Sequence, residues 1–303
     1  MNIVNYTPLS SAVEVYLAWK STYTNYAVDR YSVRLNEFMN FIGKETNLSD
    51  ITGKQIQDFT QFMRNTVTKL GAKYSDTTIA YSTTILKNFF EFWKGRGICS
   101  VNPKELRSIR YVKTYREHVT QEDVEDLLLV LDEHYYEEVL MKLIISMLWD
   151  TGMRISELVE LNLEDIQPNT QNGKGSAMIR TRKTMRYNLV VWGSETNRLL
   201  NLYLGARLNL FPNLNAVFVL KKKKWRVNAK YIQRQLKKLC QEAMIDKAIT
   251  PHSFRHGKAH QMLNHGANQR DIMAVLRHSN PLSSFHYLSL NETLFRQVAE
   301  QYV

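Results

Sequence analysis

The chain has 303 residues, 44% of them hydrophobic and 11% aromatic, which provides for two folded domains and excludes a disordered chain. An excess of 40 Lys and Arg over 29 Asp and Glu gives a net charge of +11, which favours a polyanionic partner, either nucleic acid or an acidic membrane surface. Two cysteines without metal-type spacing, no signal-peptide pattern at the N-terminus and no apolar run longer than that around residues 143–149 point to a reduced, cytoplasmic protein and, of the two polyanions, to nucleic acid.

In chain order, residues 26–42 place Tyr31, Leu35, Phe38, Met39 and Ile42 at helical spacing, and residues 56–63 and 78–93 behave alike. Gly71, Gly95 and Gly97 mark breaks, and no strand-like alternation interrupts the first hundred residues. Residues 106–118 are basic and lack periodicity, and Thr120-Gln-Glu-Asp123 then has the form of a capped helix start. This places a linker at 107–118, between a helical domain over 1–106 and a second domain over 119–303. In the second domain, residues 139–149 read as a buried helix ended by Thr151-Gly152, and Ile155, Leu158, Val159 and Leu161 mark the next helix. Residues 177–179 and 187–192 are β-rich and flank a basic turn at 180–186, the pattern of a hairpin. From Glu195 helices are expected almost to the end. The fold class is therefore mainly α with one small antiparallel sheet.

The chemistry-bearing residues come in four groups. Thr151-Gly-Met-Arg-Ile-Ser-Glu157 sets Arg154 and Glu157 on one helical face, either a carboxylate orienting a phosphate-binding guanidinium or an ordinary surface ion pair. In Thr250-Pro-His-Ser-Phe-Arg-His256, a capped helix start carries His252 and Arg255 three apart, a place for an anion or simply a cap and a solvated arginine. His252, His256 and His260 recur at intervals of four, but no acidic or cysteine ligand accompanies them and Lys258 sits among them, so no metal is expected. Farther on, His278 closes a helix and Tyr287 follows nine residues later; either alone reads as a cap or as packing.

Taken together and in order, Gly152-Met-Arg154-Ile-Ser-Glu157-Leu, a hairpin lysine, His252-Ser-Phe-Arg255-His, Leu276-Arg-His278-Ser and Tyr287 resemble the tyrosine recombinase (phage integrase, Xer-like) family, over essentially the whole chain. The resemblance implies a helical core-binding domain followed by a catalytic domain with a C-terminal tail helix. It implies that Arg154, His252, Arg255 and His278 hold the scissile phosphate, that Tyr287 is the nucleophile, and that Glu157 supports the first arginine. Arg180, Arg182, Lys183 and Arg186 compete for the hairpin position, and counting back from the last strand selects Lys183. Two positions depart from the pattern. Arg277 stands where a glycine is usual, and Lys258 follows His256-Gly where small or hydroxyl residues are common; both become added DNA contacts in this reading. No cofactor is implied, since fixed cations take the place of a metal and the phosphotyrosine link keeps the bond energy.

Residues 221–238 hold nine Lys or Arg and no acid, and Lys221, Lys222, Lys223, Lys224, Arg226 and Lys230 are candidate phosphate contacts, against the alternative of a solubilising helix face. Tyr81 and Lys87, on a polar face with Thr77 and Thr84, are candidates for contacting DNA from the first domain, against the alternative of an ordinary solvated helix. The expected partners are double-stranded DNA with specific core sites, a homotetramer across two such sites with exchange of the C-terminal tail, and accessory proteins. In a bacterial cell the expected place is the cytoplasm, at the nucleoid. A type IB topoisomerase and a catalytically idle DNA-binding regulator are the competing readings.

Overall fold

The computed structural model describes residues 6–23, 25–68, 71–99, 101–106, 118–167, 173–181 and 186–277. The chain divides into two compact units, Met1–Thr114 and Tyr115–Val303.

The first unit is helical: α1 (Leu9–Ser21), α2 (Asn25–Ile42), α3 (Gly53–Asn65) and α4 (Asp76–Lys94). Local chemistry sets the helix starts. Thr52 accepts from the Gln55 amide while Gln55 reaches back to the Thr52 amide, and Ser75 caps α4 by accepting from Thr78 N. Ile79, Ile85, Leu86, Phe89 and Phe90 line the buried side of α4, and the Tyr16 ring meets Phe89 and Phe92 edge-on at 5.3 and 5.1 Å. Thr77, Tyr81 and Thr84 stay exposed on the other side, the polar face that the spacing implies. Helix α1 was not separately legible. Its buried positions Leu9, Ala12, Val13 and Tyr16 are interleaved with the apolar Val15, Leu17 and Trp19, which blurs the stripe.

In the second unit α5 (Gln121–Leu129) starts on a Thr120–Asp123 capping box, and α6 (Tyr136–Thr151) is the buried centre. Helix α6 stops at Gly152, which is left-handed at φ 55° with its amide on Leu148 O. After α7 (Ile155–Glu160) come β1 (Ile166–Gln167), β2 (Gly175–Thr181) and β3 (Arg186–Trp192), an antiparallel sheet in that order with Ala177 opposite Val190. The strands run farther towards the turn than the β-rich residues alone indicate, because Arg180 pairs with Tyr187 and Thr181 with Arg186. Asp150 Oδ2 accepts from Gly193 N and Thr196 Oγ1, tying the end of β3 to the end of α6.

Then follow α8 (Ser194–Leu210), β4 (Val219–Leu220), β5 (Trp225–Arg226), α9 (Ala229–Glu242), α10 (Pro251–Asn264) and α11 (Gln269–Leu276). The β4–β5 hairpin corrects the expectation of uninterrupted helices after Glu195. Lys221–Lys224 are its turn, with Lys224 at φ 53°, not part of a helix face. A four-lysine run conceals a turn because it lacks the usual Gly or Asn.

Helix α10 packs against α6 where Gly257 passes the incoming chain. A Cβ on Gly257 would lie 2.2 Å from Val119 O and 2.8 Å from the Trp149 ring. Gly257→Ala should therefore lower stability by about 3 kcal/mol through overpacking against backbone, read as a lower urea midpoint. An unchanged midpoint would mean that α10 can slide away from Val119.

Candidate active site

The candidate site lies where three chain segments meet. Arg255 lies on α10, 2% exposed, and its guanidinium donates to Gly152 O at 2.8 Å and to Leu276 O. One side chain thus joins the α6–α7 turn to the end of α11, which places residues 154 and 277 beside it. Gly152 is required twice over. Its left-handed φ suits glycine, and a Cβ there would come within 2.5 Å of Leu276 Cδ2.

Arg154 immediately precedes α7 and is 37% exposed on its side chain. Its Nη1 donates to Glu157 Oε1 at 2.8 Å while its amide donates to Glu157 Oε2 at 2.8 Å. Its remaining donors have no partner among the described residues, so they stay available to a ligand. Glu157, only 3% exposed, also meets Arg277 Nη2 at 3.2 Å. Burial pushes the Glu157 carboxyl up, but Arg277 and Arg154 outweigh it and hold the group below the ordinary carboxylate value. It stays ionised as a buried anion between two arginines. This is not the weak surface pair that the spacing also permitted.

His252 is exposed in the first turn of α10, one turn before Arg255, with its ring edge-on to His256 at 4.6 Å. His260 does not join them in a metal-type arrangement. It stacks on His118 at 3.9 Å, and no cluster of metal-ligating side chains is present among the described residues. Burial and His118 push His260 down to about 4, while burial and Lys247 lower His118 against the pull of Asp123. Both rings are therefore neutral at pH 7. Because the unfolded chain binds these protons more readily, stability should fall as pH drops from about 6.5 towards 4, by on the order of 2 kcal/mol for His260. His260→Gln should flatten that part of a urea-midpoint profile; an unaltered slope would remove His260 as the cause.

The other predicted residues are distributed as follows. Lys258 is half-buried with Nζ on Gln261 Oε1 at 2.9 Å, its stem against Gly152, and burial lowers it from the ordinary lysine value. Arg226 donates to Val159 O, Leu161 O and Asn162 Oδ1, so it clamps the end of α7. Arg277 is buried against Glu157 and not directed outward. Lys221, Lys222, Lys223 and Lys224 are exposed in the β4–β5 turn, Lys223 lying 5.0 Å over the Trp225 ring, and Lys230 is exposed on α9. Tyr81 is exposed and Lys87 half-buried on α4. Lys183, His278 and Tyr287 lie outside the described residues. Sequence reasoning missed the bridging role of the Gly152 and Leu276 carbonyls, since backbone acceptors leave no mark in residue type.

A buried Arg–Glu–Arg network with one partly open guanidinium has the chemistry to receive an anionic group such as a phosphodiester. Comparison with known proteins sharpens this. The model of the phage integrase family matches residues 117–293, and that of the phage integrase SAM-like domain matches residues 9–120. A tyrosine recombinase of Thermosipho africanus is 26% identical over 280 residues, spanning 90% of this chain and 92% of its own. Tyrosine recombinase XerC of Bacillus subtilis is 25% identical over 290 residues, spanning 93% and 91%. Among solved structures, XerH site-specific recombinase bound to palindromic difH substrate aligns with a TM-score of 0.75 at 18% identity, over 97% of this chain and 84% of that one. A lambda integrase dimer on a COC′ core site aligns with a TM-score of 0.71 at 12% identity, over 93% and 95%. The chain belongs to the phage integrase family, and by class it is a tyrosine-type site-specific DNA recombinase.

No helix among the described residues is long and apolar enough to cross a membrane.

Proposed function

We propose that this chain exchanges DNA strands at specific core sites by attack of the Tyr287 hydroxyl on a phosphodiester held by Arg154, His252, Arg255 and His278. A phosphodiester resists nucleophiles because it is negative and gains charge at phosphorus-bound oxygens in the transition state. Fixed cations aimed at those oxygens in a partly dehydrated site offset that charge. Arg154 supplies the exposed donors, with its amide and one Nη already fixed on Glu157. Arg255 has two of its five donors on backbone carbonyls, which aligns the rest of the guanidinium without moving parts. His252 stands at the open edge of the same helix. Tyrosine, with an ordinary pKa near 10, must lose a proton to attack, and the neighbouring cations lower that cost. Lys183, in the sequence between β2 and β3, would protonate the departing 5′-oxygen. The result is a 3′-phosphotyrosine link, and a second exchange through a Holliday junction restores intact strands.

The observation that carries this reading is the Arg154–Glu157–Arg277 network, beside Arg255 on the Gly152 carbonyl, in a chain whose family match extends over residues 117–293. The lysines of the β4–β5 turn and Lys230 would add sequence-independent backbone contacts, and the exposed face of α4 with Tyr81 and Lys87 would face DNA from the first unit. A homotetramer on two sites, with exchange of the C-terminal tail between protomers, belongs to the same proposal. So do accessory proteins and a place at the bacterial nucleoid.

The test is a plasmid carrying two copies of a core site selected from random duplex DNA by the full chain. Deletion of the intervening segment, with a trapped Holliday junction, is expected. Relaxation of supercoils without exchange would overturn the reading in favour of a topoisomerase.

A further inference from the structure

Arg277 combines three costs. It is left-handed at φ 55° and ψ 47°, a conformation that a side chain disfavours and glycine adopts freely. Its guanidinium is buried, 6% exposed. Its Nε has no hydrogen-bond partner among the described residues. Backbone strain and a desolvated cation retained together call for a reason beyond helix termination.

The reason is visible at Glu157. That carboxylate is 3% exposed and, among the described residues, meets two guanidinium groups, Arg154 on Oε1 and Arg277 on Oε2. The two arginines differ in access, Arg154 being 37% exposed and Arg277 almost shut in. Were Arg154 the sole partner, its charge would be cancelled by Glu157. Its movement onto a phosphate would also strand a buried anion, which is strongly unfavourable. With Arg277 in place the three groups sum to +1, and Glu157 remains paired whatever Arg154 does.

We propose that Arg277 is a positioning residue for the strand-cleavage reaction: it neutralises Glu157 so that Arg154 can leave its carboxylate partner for the scissile phosphate. The inference rests on the recombinase reading above. It assigns Arg277 no contact with DNA.

The experiment compares covalent adduct formation on a nicked duplex carrying the selected core site, with thermal melting and DNA binding measured on the same proteins. Arg277→Gly removes the backbone strain, so it should melt no lower than wild type and bind DNA within about threefold. Its cleavage should slow by roughly 10- to 100-fold, the loss of one aligned electrostatic contact. The decisive sample is Arg277→Gly combined with Glu157→Gln. Removing the carboxylate charge frees Arg154, so the double variant should cleave at least fivefold faster than Arg277→Gly alone. Arg277→Lys, which keeps the charge, should cleave between wild type and Arg277→Gly.

Wild-type cleavage by Arg277→Gly would overturn the proposal and leave Arg277 a helix cap. A double variant no faster than the single one would also overturn it and favour a direct phosphate contact. Absence of any wild-type adduct, with DNA bound, would instead count against the recombinase reading itself.

Discussion

Replacing Arg255 by alanine should abolish strand cleavage and also lower the stability of the chain by about 3 kcal/mol, a double effect unusual for a residue of an active site. The side chain is 2% exposed and bridges Gly152 O and Leu276 O, joining segments more than a hundred residues apart in sequence. Truncation would leave two buried carbonyls without their charged donor and open a void between the α6–α7 turn and the end of α11. Both Arg154 and Arg277 are placed by those same segments, so the phosphate pocket would lose its geometry as well as one cation. The combined effect on cleavage should be on the order of a thousandfold or more. Arg255→Lys keeps the charge, but a single ammonium cannot reproduce a planar fork across two carbonyls. It should recover part of the stability and little of the rate. Urea unfolding and adduct formation on the nicked duplex, measured on one preparation, test both halves. If Arg255→Ala unfolds like wild type, the bridge has been given too large a part.

The helix boundaries around the candidate site were legible because helix-start and helix-stop chemistry marks them in the sequence. Thr250 and Pro251 announce α10, Thr120 and Asp123 announce α5, and Gly152 ends α6 where the spacing required. The hairpin strands were recognisable from Tyr187 onward because β-branched and aromatic residues cluster there. What escaped were features made by tertiary contact. The β4–β5 hairpin hides behind four consecutive lysines, whose turn is held by the pairing of Val219 with Arg226 and Leu220 with Trp225. Arg226 and Arg277 counted in the sequence as basic residues for DNA. In the fold Arg226 clamps carbonyls at the end of α7, and Arg277 balances a buried carboxylate. Charge in a sequence does not reveal which arginines the protein uses to hold itself together.

Tyr287→Phe should have the largest effect of all on the reaction and almost none before it. The substitution removes one hydroxyl, so DNA affinity should stay within about twofold, while transfer of the strand to protein has no oxygen to accept it. The residue can also be located chemically. Wild-type protein is trapped on the nicked duplex, the complex is digested with protease and nuclease, and the peptide carrying the nucleotide remnant is sequenced by mass spectrometry. The remnant should map to Tyr287, and the Phe variant should give no adduct at all. A remnant on any other residue, or an adduct surviving in the Phe variant, would contradict the assignment of the nucleophile and with it the pocket described around Arg154 and Arg255.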